Sequence, residues 1–204
     1  ARFLFLGWLL TSVCCASGKG GGVTDVVSVR VEPATATLDS VDGAAVSQPF
    51  ALIGVQRDGA ERQLPSAAWA LDSLRVGSID ASGLFSADGS TGGDSIVTGS
   101  IVLGAATLFG TAHAIVNVHR TLVGTGVGPG VVDLFDGQPV ADPTSSIDVL
   151  YPIEGAVMPA NVYPPAIQWA PVGSVGDFFR VTVARPHATV VAILANDGAP
   201  FPHG

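Results

Sequence analysis

Hydrophobic and polar residues alternate along most of this chain, in short runs separated by turn-forming residues. Between Val27 and Val31 every second residue is valine and the residues between are polar, and the run Ala112–Val118 has the same period. Successive side chains of a β-strand point to opposite faces, so this pattern predicts strands with one buried and one solvated face. Turn signals such as Asp58-Gly59 separate the runs. We predict about seven or eight short strands between residues 24 and 119, an all-β sandwich.

Three side chains are predicted to belong to the core of this sandwich: Trp69, Ile79 and Leu84. Trp69 shares a strand face with Ala67 and Leu71, and an indole at that position can fill the space between two sheets. Replacing it with alanine should cost about 3–5 kcal/mol. The alternative, a ring that stacks on a ligand, is disfavoured because its neighbours on that face are apolar.

A second β-rich segment is predicted over residues 146–204, after a Gly- and Pro-rich linker over residues 120–145. It includes a strand bearing Trp169, the alternating strand Phe179–Val183 and a further strand over 189–194. Trp169 is predicted to be a core residue, the alternative being a binding platform. A half sandwich cannot close its core, and the chain begins with Ala1 and stops at Gly204 without a closing strand. We therefore expect further residues at both ends.

The charge balance argues against one class of partner. The net charge is −8, Lys19 is the only lysine, and 48% of the residues are apolar. An acidic surface repels phosphate backbones, so nucleic-acid binding is disfavoured, and the apolar content is too high for a disordered chain.

The N-terminal residues have the pattern of an export signal. Arg2 precedes the apolar run Phe3–Leu10, which is too short to span a bilayer and suits a signal peptide. Residues 1–15 are predicted to be that signal and residues 16–23 a flexible tether. Cys14 and Cys15 are adjacent, so they cannot easily form an unstrained disulfide. The alternative for the apolar run is a buried element of a preceding domain.

Catalytic and metal-binding motifs are absent from the sequence. It contains no G-x-S-x-G, H-E-x-x-H or C-x-x-C pattern, and its glycine-rich stretch at 124–130 does not fit a phosphate-binding loop. The histidines His113, His119, His187 and His203 have no metal-ligand spacing. We predict no enzyme activity, no metal and no cofactor within these residues.

Taken together, the motifs of the first segment resemble the group 2 bacterial immunoglobulin-like domain. The residues that carry the resemblance are Val27-x-Val29-x-Val31-x-Pro33-Ala34-Thr35-Ala36-Thr37-Leu38, Phe50-x-Leu52, Asp58-Gly59, Trp69, Val76-Gly77-Ser78-Ile79-Asp80-Ala81-Ser82-Gly83-Leu84 and a closing strand ending at Val118. Gly99 departs from the pattern, since a residue such as alanine is usual there. The resemblance implies an immunoglobulin-like sandwich used for adhesion, spacing or display.

Two further resemblances extend this interpretation. Pro164-Pro165 before the Trp169 strand, followed by Phe179-x-Val181-x-Val183, is similar to the first half of a fibronectin type III domain. A cysteine that closes a signal segment resembles a bacterial lipoprotein signal, so Cys14 or Cys15 is the expected lipid attachment site; plain cleavage and secretion is the alternative.

The sequence therefore predicts a non-catalytic, exported bacterial surface protein. Its localisation would be the cell surface, as an outer-membrane lipoprotein, or the medium. Its partner would be a protein or polysaccharide at the cell surface, and it would contact the membrane only through the lipid anchor. The alternative is an accessory N-terminal region of a secreted or surface enzyme whose catalytic domain lies beyond residue 204.

Overall fold

A computed structural model describes residues 25–65, 68–137, 145–153, 155–157, 166–173 and 176–196. Within them the chain is all-β, with one short 3-10 helix at Val132–Phe135. The strands, in chain order, are β1 (Val26–Glu32), β2 (Thr35–Val41), β3 (Val46–Pro49), β4 (Ala51–Gln56), β5 (Glu61–Gln63), β6 (Ala68–Leu71), β7 (Ser78–Ile79), β8 (Leu84–Ala87), β9 (Gly93–Leu103), β10 (Ala106–Val123), β11 (Ser145–Tyr151), β12 (Gln168–Gly173), β13 (Phe178–Arg185) and β14 (Ala188–Ala195).

Strands β1 to β10 form an immunoglobulin-like sandwich around one hydrophobic core. One layer contains β2, β10, β9 and β6, and the other contains the sheets β1-β4-β5 and β3-β8-β7. Inward side chains of both layers meet in a single cluster that includes Val31, Leu52, Phe85, Val97 and Val116. The predicted all-β sandwich is confirmed.

The chain changes layers between β1 and β2. Strand β1 pairs antiparallel with β4, and after Pro33, which has no N–H to donate, β2 pairs parallel with β10. The ladder runs from His113↔Thr35 to His119↔Val41. Strand β9 pairs with the overlapping stretch of β10, so β2 and β9 lie on opposite edges of β10. The long strand β10 is thereby held on both sides.

In two strands, the residues predicted to face the core were wrong by one position. Leu84 is 37% exposed, whereas its neighbour Phe85 is fully buried, because the inward positions of β8 are Phe85 and Ala87. Val27 is half exposed and Val26 is buried instead. The register of β1 against β4 shifts between Val26 and Ser28, and such an irregularity reverses the face of the residues before it.

Trp69 lies partly buried against the core cluster, as does Ile79. The indole of Trp69 covers two glycines: a Cβ placed on Gly99 would lie 2.8 Å from Trp69 Cζ3, and one on Gly83 would lie 2.9 Å from Trp69 Cε2. Gly99 is also the cross-strand partner of Trp69 in the β6–β9 pair. The glycine that departs from the immunoglobulin-like pattern therefore makes room for the indole.

The second segment joins the first through β10. Strand β10 continues through Val123 into residues predicted to be linker, and its last part pairs in parallel with β14, which pairs antiparallel with β13. Strands β11 and β12 form a separate antiparallel pair. Trp169 of β12 contacts Phe179 of β13, with ring centroids 5.7 Å apart.

Candidate interaction surface

An uncharged region occupies the outer face of the layer formed by β6, β9 and β10. We call it the neutral face. Its members alternate with inward-facing residues on each strand, and none carries a charge: Ala68, Ala70, Ile96, Thr98, Ser100, Val102, Thr107, Phe109 and Thr111.

The strand register brings these side chains into rows across the sheet. Thr98 of β9 pairs with Ala70 of β6 and with Thr111 of β10. The next row joins Ser100 to Ala68 and to Phe109. With strands about 4.8 Å apart and about 3.4 Å between residues, the face measures roughly 15 Å by 20 Å.

The outer end of the neutral face is apolar. Phe109 is 64% exposed and Val102 is 68% exposed, and both lie on the β9–β10 hairpin. An exposed apolar patch is often functional on a monomer when it reaches a few hundred Å²; here the exposed apolar side chains adjoin hydroxyl groups on the same face. The absence of charged side chains from the neutral face contrasts with the net charge of −8 on the whole chain, because a surface region chosen at random would be expected to carry carboxylates.

A polar row borders the neutral face on the same side of the sheet. His113 Nδ1 lies 3.1 Å from Asp94 Oδ2, and His119 Nε2 lies 3.7 Å from Asp39 Oδ1. Sequence reasoning found no carboxylate partner for these histidines, because the partners lie on neighbouring strands. Exposed pairs of this kind contribute little to stability.

Three aspartates that follow strands hold turns rather than facing a ligand. Asp72 Oδ1 accepts hydrogen bonds from the Ile96 N–H at 2.7 Å and the Ser95 hydroxyl at 3.0 Å, which ties the end of β6 to β9. These bonds favour the charged form and lower the pKa of Asp72. Asp80 and Asp88 have lowered pKa values for the same reason: the hydroxyls of Ser82 and Ser90, and nearby N–H groups, donate to them.

An open cleft of about 420 Å³ lies on another part of the sandwich. Leu74, Arg75, Ser78, Asp88 and Ser90 are among the residues that line it. The Asp88 carboxylate there already accepts the Ser90 N–H at 2.8 Å and hydroxyl at 2.7 Å. The Asp88 carboxylate and the Ser90 hydroxyl in the cleft are therefore engaged with each other.

The described residues contain no group of three or more His, Cys, Asp or Glu side chains placed to hold a metal ion. They also contain no α-helix with the length and hydropathy needed to cross a membrane. Cys14, Cys15 and the predicted signal and tether lie outside the described residues, as do Ala67, Pro164, Pro165 and His203.

Phe109 was not predicted to be a functional residue, although the alternation in its strand contains the signal. The alternation predicts that Ala112, Ala114 and Val116 lie on the inner face of the last strand, and the burial of these residues confirms that phase. Extending the same alternation backwards puts Gly110 inside and Phe109 outside.

No protein-family model matches the chain, and no curated protein is detectably similar to it.

Proposed function

We propose that this chain is a non-catalytic interaction module of an exported bacterial protein, and that it binds its partner through the neutral face. The observation that carries the proposal is the exposure of Phe109 and Val102 within an uncharged sheet face, on a chain of net charge −8. Binding there buries apolar surface without desolvating a charge, which is the favourable case for a contact surface.

The chemistry of the face favours an uncharged ligand. Phe109 offers an aromatic ring, and the hydroxyls of Thr98, Thr107 and Thr111 can each donate and accept hydrogen bonds. The Ser100 hydroxyl donates to the Ala68 carbonyl oxygen and can accept from a ligand. This combination suits either a polypeptide surface or a neutral polysaccharide. An anionic polymer would be repelled by the rest of the chain.

Export and surface display rest on the sequence. The resemblance to group 2 bacterial immunoglobulin-like domains and the signal-like N-terminus support an adhesion or display role. The lipoprotein-like segment supports a membrane anchor at Cys14 or Cys15. Spacing of partner domains is a compatible role, and the passage of β10 from the first sandwich into a sheet with β14 supports it.

The test is a binding assay with the full chain on an array of immobilised neutral and anionic glycans and bacterial surface proteins. Phe109→Ser should weaken saturable binding to the responding spots by roughly tenfold or more, the effect of losing a buried aromatic anchor. Val27→Ser is the matched control, because Val27 is half exposed on β1 in the other layer.

The outcomes separate clearly. Loss of binding with Phe109→Ser but not with Val27→Ser supports the neutral face, and the class of spot identifies the partner. Binding by the wild type that neither variant alters would place the contact elsewhere. An absence of saturable binding on every spot would overturn the interaction role.

A further inference from the structure

The turn between β13 and β14 contacts the first sandwich directly. The His187 carbonyl oxygen accepts the Val118 N–H of β10 at 3.0 Å. From that point β14 runs alongside β10, from Val118↔Ala188 to Val123↔Ile193. The pairing of the second segment therefore begins at Val118, within the part of β10 that still pairs with β2.

Gly92 makes this close approach possible. A Cβ built on Gly92 would lie 1.8 Å from the His187 carbonyl oxygen and 3.1 Å from the Val116 oxygen. The first distance is far below any tolerated contact, and the clashing atom belongs to the backbone and cannot rotate away. Any other residue at position 92 would push the β13–β14 turn away from the first sandwich.

His187 occupies a position that favours glycine. It follows Pro186 in a two-residue turn and has φ +63°, and the second central position of a Pro-containing type II turn prefers glycine because φ is positive there. A histidine in this conformation is strained. The imidazole makes a contact that glycine could not: its Nδ1 lies 3.1 Å from Asn117 Oδ1.

That contact extends across the sheet. Asn117 Nδ2 donates to Asp39 Oδ1 of β2 at 3.0 Å. The polar connection therefore runs from β2 through β10 to the turn of the second segment. The opposite edge of β10 is hydrogen-bonded to Asp42, which follows β2. The Asp42 N–H donates to the His119 carbonyl oxygen at 2.8 Å, and Asp42 Oδ1 accepts the Thr121 N–H at 2.7 Å.

We infer that the β13–β14 turn fixes the second segment in one orientation on the first sandwich. Gly92 leaves room for the His187 backbone, and the contact between the His187 and Asn117 side chains holds the turn in place. We call this arrangement the latch. The junction formed by the paired strands β10 and β14 is then stiff, although the glycines that follow Val123 suggest flexibility. The inference deepens the proposed spacing role, on which its biological purpose rests, but the stiffness is measured independently of any binding.

The experiment measures distances between two spin labels on the full chain. Cys14 and Cys15 are replaced with serine, and labels are attached at Ser86→Cys on β8 and Thr182→Cys on β13, both exposed positions. The wild-type latch should give one narrow distance distribution. His187→Gly relieves the strained φ but removes the imidazole, so the distance distribution should be broader than that of the wild type, within the limits set by the backbone ladder of β10 and β14.

Matched variants separate the latch from general damage. His187→Asn keeps a hydrogen-bonding side chain in a residue that tolerates positive φ, so it should remain narrow. Gly92→Ala should broaden or shift the distribution, whereas Gly128→Ala, which has no atom within 4 Å of its Cβ, should not. Circular dichroism and thermal melting establish that each variant is folded. If Gly92→Ala fails to fold, the comparison of His187→Gly with His187→Asn tests the latch.

A broad wild-type distribution would overturn the latch. So would a His187→Gly distribution as narrow as that of the wild type. Array binding by the same variants distinguishes the two proposals. A variant whose distance distribution broadens, but which still binds through Phe109, supports the latch and leaves the proposed binding role unaffected. A narrow distribution with no binding leaves the latch standing and removes the binding role.

Discussion

Replacing Gly99 with alanine is the sharpest test of the packing beneath Trp69. The added Cβ would lie 2.8 Å from Trp69 Cζ3 and 3.0 Å from Leu52 Cδ1. Contacts of that length are tighter than carbon atoms tolerate, so the indole or the leucine must move. Overpacking of this kind typically costs about 1–3 kcal/mol.

An opposing effect is smaller. The φ of Gly99 does not lie in the left-handed region, so alanine can adopt the strand conformation there. Glycine-to-alanine changes at compatible positions stabilise by about 0.4–1 kcal/mol, because the unfolded chain loses freedom. The steric cost should win, and we expect a net loss of about 1–2 kcal/mol in the free energy of unfolding.

The assay is thermal and urea denaturation followed by circular dichroism. For a domain of this size the loss corresponds to a fall in Tm of roughly 5–15 °C. Gly128→Ala is the control, since it makes the same chemical change with no atom within 4 Å. A smaller ring should relieve the clash, so Trp69→Phe combined with Gly99→Ala should be less destabilised than the sum of the single changes, by about 1 kcal/mol.

A melting temperature of Gly99→Ala equal to or above that of the wild type would refute this reasoning. Strict additivity of the two substitutions would also refute it, because it would show that the new methyl group does not meet the indole.

The remaining predictions concern the core and the turns. Phe85→Ala should destabilise the sandwich by about 3–5 kcal/mol in urea denaturation, whereas Leu84→Ala, on the outer face, should change stability by less than about 1 kcal/mol; equal losses would contradict the assigned phase of β8. The folded pKa values of Asp72, Asp80 and Asp88 lie below the ordinary 3.8, so their stabilisation is present above that pH and is lost as pH falls towards the folded values. Melting curves at pH 6 and pH 3 should show this loss, and Asp80→Asn should reduce the difference; an unchanged pH dependence would count against the Asp80 contacts.

The local pattern of the sequence predicts which segments become strands but not always which face is buried. Leu84 and Phe85 are both apolar and adjacent, so alternation alone leaves two phases open, and contacts with distant strands select Phe85. At Val26 and Val27 the shift in register decides the face, and no local signal marks it. In Ala112–Val118 small and branched residues alternate with polar ones, and the predicted phase is correct.

Local sequence patterns also do not predict which strands pair when the partners are distant in sequence. The local pattern of residues 35–41 does not indicate a partner, but β2 pairs parallel with β10. The residues from Thr121 to Val123 read as linker because glycines follow, yet they form a ladder with β14. The candidate surface depends on this topology, because the neutral face exists only once β6, β9 and β10 lie side by side.

The parallel pairing of β2 with β10 also sets the order in which the chain can fold. Asn117 and Asp39, which bond across this pair, are 78 positions apart. As the chain emerges from the ribosome, β1 can meet β4 early, but β2 has no partner until the last strand of the sandwich is exposed. Contacts of such long range slow folding and leave strand edges open to wrong partners. The half-formed sandwich, in which β2 is still unpaired, is therefore the stage at which this protein is most exposed to aggregation.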